Sequence, residues 1–132
     1  MTPERQALID YRLERARETL EEAGVLLQTG HANAGVNRLY YACFYAVSAL
    51  LAQEGRSSSR HSGIRSLFNR HFVKTGQINA DTARIFNDLF ERRQEGDYVD
   101  FVQFEESQVR MWMPQAEVFV ETIAGLLGCR GQ

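Results

Sequence analysis

Hydrophobic residues recur along this chain with the period of a helix. Between residues 4 and 28, Ile9, Leu13, Ala16, Leu20, Ala23 and Leu27 follow at intervals of four, three, four, three and four, one stripe of a 3.6-residue repeat. Arg12, Arg15, Glu18, Glu21 and Glu22 fall off the stripe, and Gly30 closes the segment. Residues 32–54 are apolar on nearly every face (Val36, Leu39, Phe44, Val47, Leu50, Leu51). This predicts a second, central helix with Gly55 as its C-terminal stop.

The run Arg56-Ser57-Ser58-Ser59-Arg60 reads as a loop in which Ser59 caps a third helix near 60–73, its inner face being Ile64, Leu67, Phe68 and Phe72. Thr75-Gly76 breaks it, and Asn79 caps a fourth helix over about 80–95 with Ile85, Phe86, Leu89 and Phe90 inward. Gly96-Asp97 is expected to end that helix, with Tyr98, Phe101 and Val102 packed under a connection over 97–103. A fifth helix follows over about 105–127, and Pro114 inside it should kink or restart it. No internal repeat or sustained strand period appears. The pattern predicts an all-α fold: an up-and-down antiparallel bundle of four to five helices.

Length and composition narrow this further. A chain of 132 residues has room for one core, so residues 1–132 are expected to form a single domain. The only prolines are Pro3 and Pro114, which leaves about 110 residues free for long helices. At 44% hydrophobic and 24% charged, the chain is too apolar for disorder. Cys43 lies in the apolar run from Tyr40 to Val47 and Cys129 in a Gly-rich tail, so no disulfide or zinc framework is expected. The charged start gives no signal-peptide pattern, and Asn37 and Arg38 interrupt the most apolar helix. A cytoplasmic protein with no membrane span is the expectation.

Charge is uneven. Arg56, Arg60, Arg65, Arg70 and Lys74, with His61 and His71, lie between Gly55 and Ala80 without one Asp or Glu; a whole-chain net of −2 therefore leaves about −7 elsewhere. Such a face suits a phosphate-rich partner, or is a solvated face paired with acidic neighbours. On the second helix, Asn37, Tyr41, Phe44 and Ser48 share one line, and Arg38, Tyr41 and Tyr45 an adjacent one. An arginine there requires a partner, with Glu91, Glu95 or Asp97 as candidates. The two form either a structural polar network or a cleft between the second and fourth helices. Arg92 follows Leu89 by three residues and Arg93 follows Phe90 by three, so at least one continues the inward face. His61 could join Ser59 and Arg60 around a phosphate at a helix N-terminus, or be a capping or surface histidine.

Four runs taken together, Asn37-Arg38-Leu39-Tyr40-Tyr41-Ala42, His61-Ser62-Gly63, His71-Phe72-Val73-Lys74-Thr75-Gly76 and Arg93-Gln94-Glu95-Gly96-Asp97-Tyr98, resemble the HEPN family over about residues 8–125. The closest likeness is to small stand-alone HEPN proteins associated with a minimal nucleotidyltransferase. The resemblance implies a helical bundle, usually a homodimer, with a cleft near the end of the fourth helix. It also implies RNA or nucleotide as partner and a toxin–antitoxin-like setting. Many relatives are metal-independent ribonucleases with Arg, four to six residues, then His. Counted from Arg92, that place falls on Asp97, Tyr98 or Val99; counted from Arg93, on Tyr98, Val99 or Asp100. None is histidine, and a tyrosine near pKa ~10 is a poor acid–base substitute without a large shift.

The expectation is therefore a nucleotide- or RNA-associated module, with ribonuclease activity through Arg93, Asp97 and Tyr98 as the alternative. Arg38, Tyr41, Arg92, Arg60, His61 and Arg65 are the candidate phosphate contacts. No cofactor or metal is expected: the residues three before His31, His61 and His71 are Gln28, Ser58 and Phe68, so no di-iron Glu-x-x-His pair exists. Cys43 is too apolar in its surroundings to act as a nucleophile. The surplus of apolar surface on the second helix, at Tyr40, Phe44 and Tyr45, suggests cover by a second subunit.

Overall fold

A computed structural model describes residues 2–130, with nothing said of the side chains of Cys129 and Arg130, so the expectation for Cys129 lies outside the described residues. Its helices are α1 (Pro3–Gln28), α2 (Ala32–Gln53), α3 (His61–Phe68), α4 (Ala80–Tyr98) and α5 (Glu106–Arg130). α3 runs on into a π-helical turn, Asn69–Val73, closed by an i→i+5 hydrogen bond from Lys74 N to Asn69 O at 2.8 Å. Among the described residues all regular structure is helical, as the periodicity predicts.

The stripe of α1 docks on α2, with Ile9, Ala16, Leu20, Ala23 and Leu27 buried. α2 is the centre, touching α1, α3, α4 and α5. Leu39, Tyr40, Ala42, Cys43, Ala46, Val47, Ala49, Leu50 and Leu51 have no exposed surface; they cover rather more than half of the helix circumference and leave the face of Asn37, Tyr41, Phe44 and Tyr45 half-buried. Each large apolar side chain so buried stabilises the fold by roughly 1.5–3 kcal/mol before entropy is counted. An aromatic cluster joins the later helices to this axis. Phe86 of α4 lies 5.4 Å from Phe68, 5.8 Å from Phe119 and 5.9 Å from Tyr40, ring centre to ring centre.

Three local expectations are corrected and a fourth is narrowed. Ser59 does not cap α3: Arg60 holds the cap position without a side-chain bond, and Ser58 Oγ accepts the Arg60 N–H at 3.2 Å. Gly63 accommodates that serine, since a Cβ there would fall 2.0 Å from Ser58 Oγ. Gly96-Asp97 does not stop α4, which continues to Tyr98; the glycine admits the Phe104 ring, which a Cβ would approach to 2.9 Å.

Tyr98 and Phe101 do not tuck under the connection. Tyr98 is 68% exposed and Phe101 fully so. Asn33 of α2 donates to Val102 O at 2.9 Å and accepts from Phe104 N at 2.8 Å. That clamp turns Phe104 inward against Trp112 and leaves Phe101 outside at φ 67°, a left-handed conformation that costs a non-glycine residue roughly 1–2 kcal/mol. Finally, Pro114 does not restart α5, which runs through it as one helix, so of the two expected outcomes, a kink or a restart, the restart is excluded. The proline lies exposed, where water can satisfy the carbonyl that loses its helical partner.

Asn79 does cap α4 as expected, its side chain accepting from Thr82 N at 2.8 Å. Asn79→Ala is expected to lower the unfolding free energy by about 1 kcal/mol in a denaturant titration.

Candidate functional site

At the C-terminal end of α4 the structure gathers Arg93, Asp97 and Tyr98 against Asn37, Arg38 and Tyr41 of α2. The i, i+4 spacing of a helix puts Arg93 beside Asp97, and Arg93 Nε donates to Asp97 Oδ2 at 3.0 Å. Its Nη2 donates to the hydroxyls of Tyr41 and Tyr98, each at 3.2 Å. The Arg93 side chain is only 12% exposed, so these acceptors replace water that a guanidinium would otherwise hold.

The same Asp97 Oδ2 accepts from Asn37 Nδ2 at 2.8 Å, and Asn37 Oδ1 accepts from Arg38 Nε at 3.0 Å and Nη2 at 2.8 Å. Arg38 therefore reaches Asp97 through Asn37. Its direct carboxylate is Glu22 of α1, at 3.5 Å, rather than the expected Glu91, Glu95 or Asp97. The guanidinium carbon of Arg38 sits 4.8 Å from the Tyr41 ring centre and that of Arg93 5.4 Å. Two cations thus share one aromatic ring. On its other side Arg38 lines an open groove of about 590 Å³ with Glu18, Glu21 and Glu22, which disfavours anions there.

His61 belongs to this cluster rather than to a free helix tip. Its Nδ1 shares a 3.0 Å hydrogen bond with the hydroxyl of the fully buried Tyr40. Its ring stacks on Phe44 at 4.3 Å and meets Tyr41 edge-on at 5.5 Å. Burial, and then the Arg93 charge, lower its pKa below the usual histidine value. Burial likewise pushes the Tyr40 phenol and the Cys43 thiol well up, which keeps both protonated.

Arg92 and Arg65 stand apart. Arg92 lies 3.9 Å over Trp112 and 3.8 Å from Asp88, facing α5. Arg65 spends its donors on Asn87 at 3.0 Å and Glu91 at 2.7 Å, the paired-face alternative raised by the sequence. The Arg60 side chain is exposed beside the serine loop. Tyr40 was not among the candidates, because only the folded loop brings position 61 back to position 40.

The HEPN-domain model matches residues 9–126 of the chain. The chain belongs to the HEPN family. It is 46% identical over 124 residues to a Thermotoga maritima "UPF0332 protein", covering 94% of each chain. A Gloeobacter violaceus "UPF0332 protein" is 38% identical over 98 residues, 74% of this chain and 75% of that one. A Methanocaldococcus jannaschii protein named "Putative toxin" is 26% identical over 108 residues, 82% of this chain and 74% of that one. Among the described residues of this HEPN domain, no group of three His, Cys, Asp or Glu is placed to hold a metal ion. No helix among them is long and apolar enough to cross a membrane.

A depressed histidine pKa has a definite sign in stability. Below the ordinary value of 6.5 the unfolded chain takes up the proton before the folded one, so this group's contribution is full above that pH and lost as pH falls through the folded pKa. Between about pH 7 and pH 5, the unfolding free energy of His61→Gln should fall less steeply than that of wild type, measured by denaturant titration at each pH.

Proposed function

We propose that this HEPN domain is an RNA- or nucleotide-associated module. In this reading Arg38, Tyr41 and Arg93 meet phosphate, and the exposed face of Tyr98 meets a base. It works as a homodimer beside a minimal nucleotidyltransferase, in a toxin–antitoxin-like pair. The observation that carries it is the pair of guanidiniums set over the Tyr41 ring and tied together through Asn37 and Asp97. Arginine forks suit phosphate oxygens and aromatic faces suit unstacked bases.

The toxin-like setting is supported by the relative named "Putative toxin". For the second subunit, support comes from the apolar pair Val99 and Phe101, which are 53% and 101% exposed just beyond Tyr98 in the chain. Of the three residues expected to need a partner's cover, Tyr40 is buried within its own chain, while Phe44 and Tyr45 are half-buried. Mixed at micromolar concentration with a minimal nucleotidyltransferase encoded beside it, the chain should co-elute in size-exclusion chromatography. Separate elution would sink the pairing.

A second reading, metal-independent ribonuclease, is favoured by one observation: His61 lies against the Arg93 cluster with a lowered pKa. An unprotonated imidazole at neutral pH is a competent base for a ribose 2′-hydroxyl, whose oxygen attacks phosphorus as the bond to the 5′-oxygen breaks; the proton is passed on to that 5′-oxygen, and Arg93 stabilises the negative charge on the phosphoryl oxygens. RNA cleavage in EDTA by wild type should then fall at least about 100-fold in both Arg93→Ala and His61→Ala. Equal, negligible rates in all three proteins would remove this reading.

A further inference from the structure

A narrow recess of about 180 Å³ lies one helical turn along α2 from the Tyr41 cluster, where α1, α2 and the serine loop meet. Arg12, Tyr45, Ser48, Arg56, Ser57 and Ser58 supply its polar wall, over the apolar side chains of Phe44 and Ile64. It adjoins a wider groove of about 370 Å³ that shares Arg12, Arg56 and Ser57 and adds Arg5. We propose that this recess is a second phosphate-binding subsite, taking a phosphodiester of single-stranded RNA that continues from the Arg93 cluster. The assignment to RNA, though not to phosphate, rests on the role proposed above.

The chemistry of the wall supports an anion. Arg12 is oriented by donating Nη1 to the carbonyl oxygen of Ser48 at 3.2 Å, a neutral acceptor that fixes the guanidinium without cancelling its charge. Ser58 Oγ accepts from Arg60 N, so its own proton remains to be donated. One carboxylate lies close, since Glu54 forms an ion pair with Arg56 through Nε at 3.2 Å, and Glu4 lines the outer groove; Arg12 is the cation of the wall oriented by a neutral acceptor. The apolar floor lowers the local dielectric and strengthens attraction between arginine and phosphate.

The recess is also in register with the first site. Tyr41, Tyr45 and Ser48 occupy positions i, i+4 and i+7 of α2, one face of a helix. Seven residues at a rise of about 1.5 Å separate the ends by about 10 Å. A few nucleotides of a single strand span that distance. Between the two sites the Phe44 ring floors the recess and carries His61 on its face.

The test is anisotropy of a labelled single-stranded RNA titrated with the full chain over a salt series, with pyrophosphate titrated calorimetrically as a second probe. Arg12→Gln and Arg56→Gln should each weaken RNA binding about tenfold at low salt. Each should also make the slope of log affinity against log salt shallower by about 0.7; Arg56→Gln should leave the melting temperature unchanged, whereas Arg12→Gln also loses the bond to Ser48 O and should melt lower. Arg12→Lys, which keeps the charge, should keep the wild-type slope. An RNA affinity and slope unchanged in the double glutamine variant would overturn the subsite. Pyrophosphate bound by wild type, lost in the double variant and unaccompanied by RNA binding would keep the phosphate pocket and discard RNA as its ligand. Binding of neither probe to wild type would overturn the pocket itself.

Discussion

Burial of more than half the circumference of α2 is the constraint from which the rest follows. An apolar face that wide cannot lie on a surface, and α1, α3, α4 and α5 all dock on it. Alanines at 42, 46 and 49 have no exposed surface and let neighbouring helices approach closely. The polar residues of the same helix are therefore forced to its rim. Asn37, Arg38 and Tyr41 emerge beside the end of α4, where Arg93 and Asp97 arrive one turn apart. The cluster is a by-product of the packing as much as of the charges.

Electrostatics then decide what the rim can hold. Arg93 is nearly buried and surrounded by oxygen acceptors, whereas Arg38 keeps one face toward Tyr41 and the other toward the carboxylates of α1. The molecule is divided along α2 into an acidic groove beside Arg38 and a cationic, aromatic side that holds Arg93 and His61. Such a division gives an approaching polyanion a preferred side without any large net charge.

Much of this was legible in the sequence, because periodicity speaks directly about burial. The stripe of α1, the central place of α2, the Asn79 cap and the inward Phe86, Leu89 and Phe90 all read correctly, although α2 keeps one half-buried face at Asn37, Tyr41, Phe44 and Tyr45. What misled was local punctuation with a tertiary cause. Gly96 looked like a helix stop and is instead a seat for the Phe104 ring. Ser59 looked like the cap, while Ser58 makes the bond. Three-residue spacing could not separate Arg92 from Arg93, since both continue an inward face; only the position of Trp112 on α5 sends one away. His61 was ambiguous because its decisive contact, Tyr40, lies 21 positions earlier and across a loop.

The position of Trp112 has a practical consequence. It is the single tryptophan of the chain, capped by Arg92 from α4 and touched edge-on by Phe104, the residue that the Asn33 clamp turns inward. Indole emission responds to a nearby cation and to the polarity of its surroundings. The protein thus carries an intrinsic optical reporter at the junction of α4, α5 and their connecting segment. Any event that loosens that junction can be followed in the unlabelled chain by the colour of its own fluorescence.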